Sequence, residues 1–140
     1  MKLRPEKRNN LPLAPMVIFP NCKINLGLRI LRKRDDGFHD LETVFYPIMI
    51  RDILEIIENH DRKADEKWLV DLENVRFNQT GILVDGKPSD NLTIKAYYLV
   101  KKDFPQLPAI QMHLHKAIPI GAGLGGGSAD GALALRLLNE

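Results

Sequence analysis

Residues 119–129 (Pro119, Ile120, Gly121, Ala122, Gly123, Leu124, Gly125, Gly126, Gly127, Ser128 and Ala129) hold five of the ten glycines of this 140-residue chain. Their composition suits one task, holding a phosphate. Glycines without Cβ let backbone N–H groups close around an anion, and the apolar run from Ala129 predicts a helix N-terminus directly behind them. Two familiar phosphate signatures fit poorly. No Lys-Ser or Lys-Thr pair follows the glycines, which removes the P-loop. Gly121, Gly123 and Gly126 match G-x-G-x-x-G literally, but His115, Lys116 and Pro119 separate the preceding strand from the first glycine. The ribose-binding acid expected about 20 residues further on has no place before Glu140.

Other residues able to do chemistry lie upstream. Lys23 and Asn25 share one face of an alternating segment, where a cation and an amide could meet a ligand or could simply be solvated. Cys22, the single cysteine, reads as a buried inert thiol. His39 follows Phe38 just beyond a turn, where taken alone it reads as an exposed hairpin histidine. His113 and His115 alternate on a strand and raise a metal site, but with no third ligand nearby a solvated face explains them better. Asp130 falls early in the predicted helix and reads as an acid complementing the positive helix end.

The elements that must position these groups follow from periodicity. From Lys23, Ile24, Leu26, Leu28 and Ile30 alternate with polar neighbours, predicting a half-buried strand. Arg34-Asp35-Asp36-Gly37 has turn chemistry and leads into a second strand from Leu41 to Tyr46, so a β-hairpin is expected. Further strands are expected over residues 52–58 and 75–80, with a charged turn over 61–67 between them. Ser89 or Asp90 should cap a helix whose buried face is Leu92, Ala96, Leu99 and Val100, ended by Pro105 and Pro108. Ile110, Met112 and Leu114 form the inward face of the strand that enters the glycine loop.

With 44% hydrophobic residues, the chain can bury one modest core. One cysteine excludes an internal disulfide, and no apolar run approaches the length a membrane helix needs, so a reducing cytoplasm is the default and no membrane partner is expected. The formal charge of +2 hides an asymmetry: residues 1–34 carry nine Lys/Arg against one Glu, or +8, which leaves −6 for the rest. Without interleaved aromatics this reads as a solvated leader and exposed strand positions rather than a nucleic-acid patch. Residues 1–15, with three prolines and little periodicity, are expected to be a disordered leader ahead of a domain over 16–140.

The glycine stretch resembles the P-x-x-x-G-L-G-[GS]-[GS]-S-A motif of the GHMP kinases, with Pro119, Gly123-Leu124-Gly125 and Ser128-Ala129 in register. A second region, from Phe19-Pro20-Asn21-Cys22-Lys23-Ile24-Asn25-Leu26 through Asp36-Gly37-Phe38-His39-Asp40-Leu41-Glu42-Thr43, is similar to that family's P-A-K-I-N-L and D-G-Y-H-x-L-x-T segments. Asp90-Asn91-Leu92 matches a third element. The resemblance is closest to the branch that phosphorylates an alcohol bearing a cytidine diphosphate group, on the route to isoprenoid precursors. It implies an α+β fold, the ribosomal-protein-domain-2-like arrangement of the GHMP N-terminal domain.

By the same resemblance, Lys23 is the active-site lysine beside the hydroxyl to be phosphorylated, residues 119–129 cradle the phosphates of ATP, and Asn25 contacts substrate. Phe38 and His39 would clamp the cytosine, with Phe38 standing where a tyrosine is usual, so that stacking survives and a phenol bond is lost. ATP and Mg2+ are the implied cofactors, the latter with no ligand assigned, and the partner is a small molecule rather than nucleic acid. The family's catalytic aspartate belongs to a later motif and Asp130 is not its equivalent, so this length of chain is expected to be inactive alone. A second class stays open, a non-catalytic RNA-binding module of the same fold using the basic head.

Overall fold

The computed structural model describes residues 16–60, 68–84 and 86–139. The expected leader and the charged turn over 61–67 lie outside these.

A five-stranded sheet is built from β1 (Met16–Ile18), β4 (Ile53–Glu58), β5 (Val70–Asp71), β6 (Val75–Gly81) and β7 (Ile110–Lys116), in the order β1-β4-β7-β6-β5. Among the described residues the remaining strands, β2 (Asn21–Lys33) and β3 (His39–Arg51), pair only with each other. All pairings are antiparallel except β6 with β7. Parallel neighbours need a long crossover, which here carries helix α1 (Leu92–Asp103). Helix α2 (Gly126–Asn139) follows β7 and packs beside α1.

Period-two alternation places Leu54 and Ile56 of β4, Val75 and Phe77 of β6, and Ile110, Met112 and Leu114 of β7 on one sheet face, all buried. Ile94, Ala96 and Tyr97 of α1 and Ala134, Leu137 and Leu138 of α2 close over it. Each of the large side chains contributes about 1.5–3 kcal/mol by leaving water. Tyr97 is fully buried and donates its hydroxyl to the Pro108 carbonyl at 2.8 Å, so its one polar atom is satisfied. The strands over 75–80 and 110–114 and the α+β class stand as expected.

Two expectations change. The cap of α1 is Asn91, whose Oδ1 accepts from the Thr93 N–H at 3.0 Å and the Thr93 hydroxyl at 2.7 Å. Ser89 and Asp90 belong to a 3-10 turn over Pro88–Asp90 instead. The helix buries Thr93, Ile94, Ala96 and Tyr97, while Leu92 and Leu99 face outward. Two apolar stripes run along this helix at similar spacing, and only the shape of the sheet beneath selects the one carrying the large tyrosine. Secondly, β2 is not half-buried along its length: Leu26, Leu28 and Ile30 are 50%, 55% and 65% exposed. Alternation correctly reports a strand with an apolar face. It does not report whether another layer lies against that face, and the β2–β3 ribbon stands off the five-stranded sheet.

Candidate functional site

The glycine loop leaves β7 and folds through Gly121, Gly123 and Gly125, all at positive φ of 73–74°, a region other residues rarely enter. Helix α2 opens at Gly126, three residues earlier than the apolar run suggests. Its first bond runs from the Ala129 N–H to the Gly125 carbonyl at 3.0 Å. The N–H groups of Gly126, Gly127 and Ser128 therefore have no acceptor inside the helix, and the positive end of the helix dipole adds to them. A Cβ on Gly126 would lie 2.8 Å from Ile118 Cγ2, so the helix start is pressed onto the beginning of its own loop.

Lys23 is brought to this loop from the opposite end of the chain. Its backbone N–H donates to the Leu124 carbonyl at 2.9 Å. The ammonium donates to the Gly123 carbonyl at 2.6 Å and to Asn25 Oδ1 at 2.5 Å, and sits 5.3 Å from the centre of the Phe45 ring in a cation–π contact. Asn25 Nδ2 in turn donates to the Thr43 hydroxyl at 3.2 Å, and that hydroxyl donates to the Gly27 carbonyl at 2.6 Å. The chain of bonds fixes which way the Asn25 amide points. Thr43 and Phe45 lie inside the motif segments or next to them, yet nothing in their types announced this duty; pairing β2 against β3 does, by setting Phe45 opposite Asn25.

Phe38 and His39 are not part of this cluster. They flank the tip of the ribbon, where Gly37 has φ 86° and Asp36 Oδ1 accepts from the Phe38 N–H at 3.1 Å. Phe38 is 72% exposed. Lys23 pairs with Pro47 and Lys33 with His39, so the two stations are separated by ten residues of β2, on the order of 30 Å for a straight strand. Bulges after Leu26 and Ile30 bend that path. The hairpin cations are met by carboxylates, Arg32 with Asp40 at 2.5 Å and Arg34 with Asp36, which reduces the basic character of this region.

Cys22 is buried and unpaired, as an inert thiol should be. His113 Nε2 and His115 Nδ1 both meet the Thr80 hydroxyl, at 3.0 and 2.9 Å, on the polar face of the sheet. Asp130 departs from its expected role. It lies in the second turn of α2, only 3% exposed, and its partner is Lys116, whose Nζ stands 2.9 Å from Asp130 Oδ2 and 2.5 Å from Asp52 Oδ2. Burial raises the Asp130 pKa from 3.8 to about 6 against the lowering effect of Lys116, with Asp52 adding to the rise. Burial alone would lower the Lys116 pKa, but the two carboxylates outweigh it and raise the value. Asp52 and Lys116 carried no sequence signal, since one reads as a strand boundary and the other as an alternating surface lysine.

The three N–H groups and Lys23 fit the phosphates of a nucleotide. No group of three or more His, Cys, Asp or Glu that could hold a metal occurs among the described residues. Asp52 and Asp130 are both engaged with Lys116.

Comparison with known proteins points to one family. The profile of the GHMP kinases N terminal domain matches residues 91–140. The chain is 52% identical over 125 residues to the 4-diphosphocytidyl-2-C-methyl-D-erythritol kinase of Bacteroides fragilis, covering 89% of this chain and 42% of that protein. It is 40% identical over 129 residues to the chloroplastic kinase of that name from Arabidopsis thaliana, covering 92% and 31%. A crystal structure of 4-(cytidine 5'-diphospho)-2C-methyl-D-erythritol kinase superposes with a TM-score of 0.65 at 31% identity, over 88% of this chain and 39% of that one. The chain thus spans less than half the length of each relative. Motif order, identity and fold agree on one assignment: the chain belongs to the GHMP kinase family and corresponds to the N-terminal portion of its members.

Proposed function

We propose that this chain supplies the phosphate-binding part of an ATP-dependent kinase acting in the cytoplasm on the 2-hydroxyl of 4-diphosphocytidyl-2-C-methyl-D-erythritol, a step toward isoprenoid precursors. The observation that carries this reading is the contact of the Lys23 ammonium with the Gly123 carbonyl at 2.6 Å, which puts a cation at the edge of an anion cradle. In phosphoryl transfer the protein mainly positions the groups and neutralises charge. The N–H groups of Gly126, Gly127 and Ser128 hold phosphate oxygens, and Mg2+ accompanies those phosphates. Lys23, oriented by Asn25, stabilises negative charge on the attacking oxygen; an ammonium holding two acceptors does not take that oxygen's proton. Phe38 stacks on the cytosine and His39 offers bonds to its edge.

Calorimetry of the chain with ATP, with cytidine 5'-diphosphate and with an RNA oligonucleotide tests this. ATP should bind at one site and oligonucleotide negligibly. A folded chain that binds RNA with steep salt dependence and ignores ATP would replace the kinase reading with the nucleic-acid one.

A further inference from the structure

Behind the phosphate loop, three ionisable side chains are buried together: Asp52, Lys116 and Asp130 are 0%, 3% and 3% exposed. They come from three places in the chain, the residue before β4, the last residue of β7 and the second turn of α2. Lys116 Nζ bridges the two carboxylates. Asp52 Oδ1 accepts from the backbone N–H groups of Ala117 at 2.7 Å and Ile118 at 2.9 Å, the first residues of the loop. The Asp52 N–H donates to the Pro20 carbonyl at 2.9 Å, three residues from Lys23.

Taking such charges out of water costs several kcal/mol per ion, and apolar side chains of the same volume would fill the space at lower cost. All three are shut off from solvent, so direct contact with ligand does not explain them. Their connections do. Asp52 holds the loop's entrance, Asp130 holds the helix that forms its exit, and Lys116 is the cation that joins the two.

We propose that Asp52, Lys116 and Asp130 are positioning residues that lock the phosphate loop to helix α2, so that the N–H groups of Gly126, Gly127 and Ser128 and the Lys23–Gly123 contact keep one geometry. The inference rests on the phosphate-loop reading above. The side chain of Ile118 serves the same end, packing against the position a Gly126 Cβ would occupy. Among the described residues Asp130 Oδ1 has no hydrogen-bond partner, and two carboxylates share one ammonium, so the cluster has one negative charge more than its cation balances.

The excess charge provides the test, because folding and positioning can be separated. Lys116→Met leaves two buried carboxylates without a cation and should lower Tm and weaken ATP binding about tenfold or more. Adding Asp130→Asn removes one of the two uncompensated charges, which returns the cluster to the parent's net charge of −1, and leaves Asp52 with its two backbone donors. Lys116→Met/Asp130→Asn should therefore regain most of the lost Tm while ATP affinity stays about tenfold weak, and in the nucleotide-free protein the amides of residues 117–125 should exchange about tenfold faster than in the parent. Recovery of affinity together with Tm would overturn the proposal, leaving a charge cluster with no positioning role. So would a double variant that circular dichroism shows unfolded, since a cluster with the parent's net charge should keep the core folded. If the parent itself binds no ATP, the kinase reading fails separately, and loop exchange alone decides: faster in the double variant supports the lock, unchanged refutes it.

Discussion

The Lys23 ammonium and the Gly123 carbonyl meet at 2.6 Å across one hundred positions of sequence. The contact joins the ribbon to the glycine loop, so removing the charge should cost ligand affinity more than fold. A hydrogen bond made by a charged group is worth about 1.5–3 kcal/mol. Lys23→Met should weaken ATP binding about ten- to a hundredfold while Tm moves by a few degrees at most; calorimetry beside a thermal melt checks both, and unchanged affinity removes Lys23 from the site.

Gly125 faces the same lysine. A Cβ there would sit 3.1 Å from Lys23 Cε, at a φ of +74° that costs a side chain about 1–3 kcal/mol. Gly125→Val should abolish ATP binding in a protein that still folds. Gly127, inside the helix with nothing within 4 Å of its Cβ position, is the contrast; Gly127→Ala should stabilise by about 0.5–1 kcal/mol. If denaturant titration and calorimetry report the same result for both, the glycines do not differ in the way the backbone requires.

At the ribbon tip, Phe38 is so exposed that its removal should cost the fold within about 0.5 kcal/mol. Stacking on a base is worth about 1–3 kcal/mol. Phe38→Ala should therefore weaken a cytidine diphosphate ligand by about five- to a hundredfold and leave ATP untouched. Equal loss of both ligands would mean that the ribbon has collapsed.

Asp130 sets a pH dependence. Its folded pKa of about 6 lies above the ordinary 3.8, so the folded state holds the proton more tightly than the unfolded one. The stability this contributes is complete below about pH 4 and is lost as pH rises through 6. The facing charged groups, Lys116 and Asp52, are buried with it. Melts of the parent and Asp130→Asn between pH 4 and 8 should show the variant gaining on the parent as pH rises, and parallel curves would contradict the raised pKa.

Much was legible locally. The glycine loop, the strand feeding it, the hairpin turn and the shared face of Lys23 and Asn25 all follow from neighbours a few residues apart, because dihedral freedom and side-chain alternation are local properties. What needed the folded chain were contacts between distant positions and the presence or absence of a covering layer. Leu26, Leu28 and Ile30 advertise an apolar face without saying whether anything packs on it. Leu92 and Tyr97 lie on competing stripes of one helix, and the sheet chooses between them. Asp52 and Lys116, 64 positions apart, look like ordinary surface charges until the chain between them folds back to bury them together. Burial turns ordinary charges into coupled ones, and burial depends on what the rest of the chain puts in front of them, which only the tertiary structure decides.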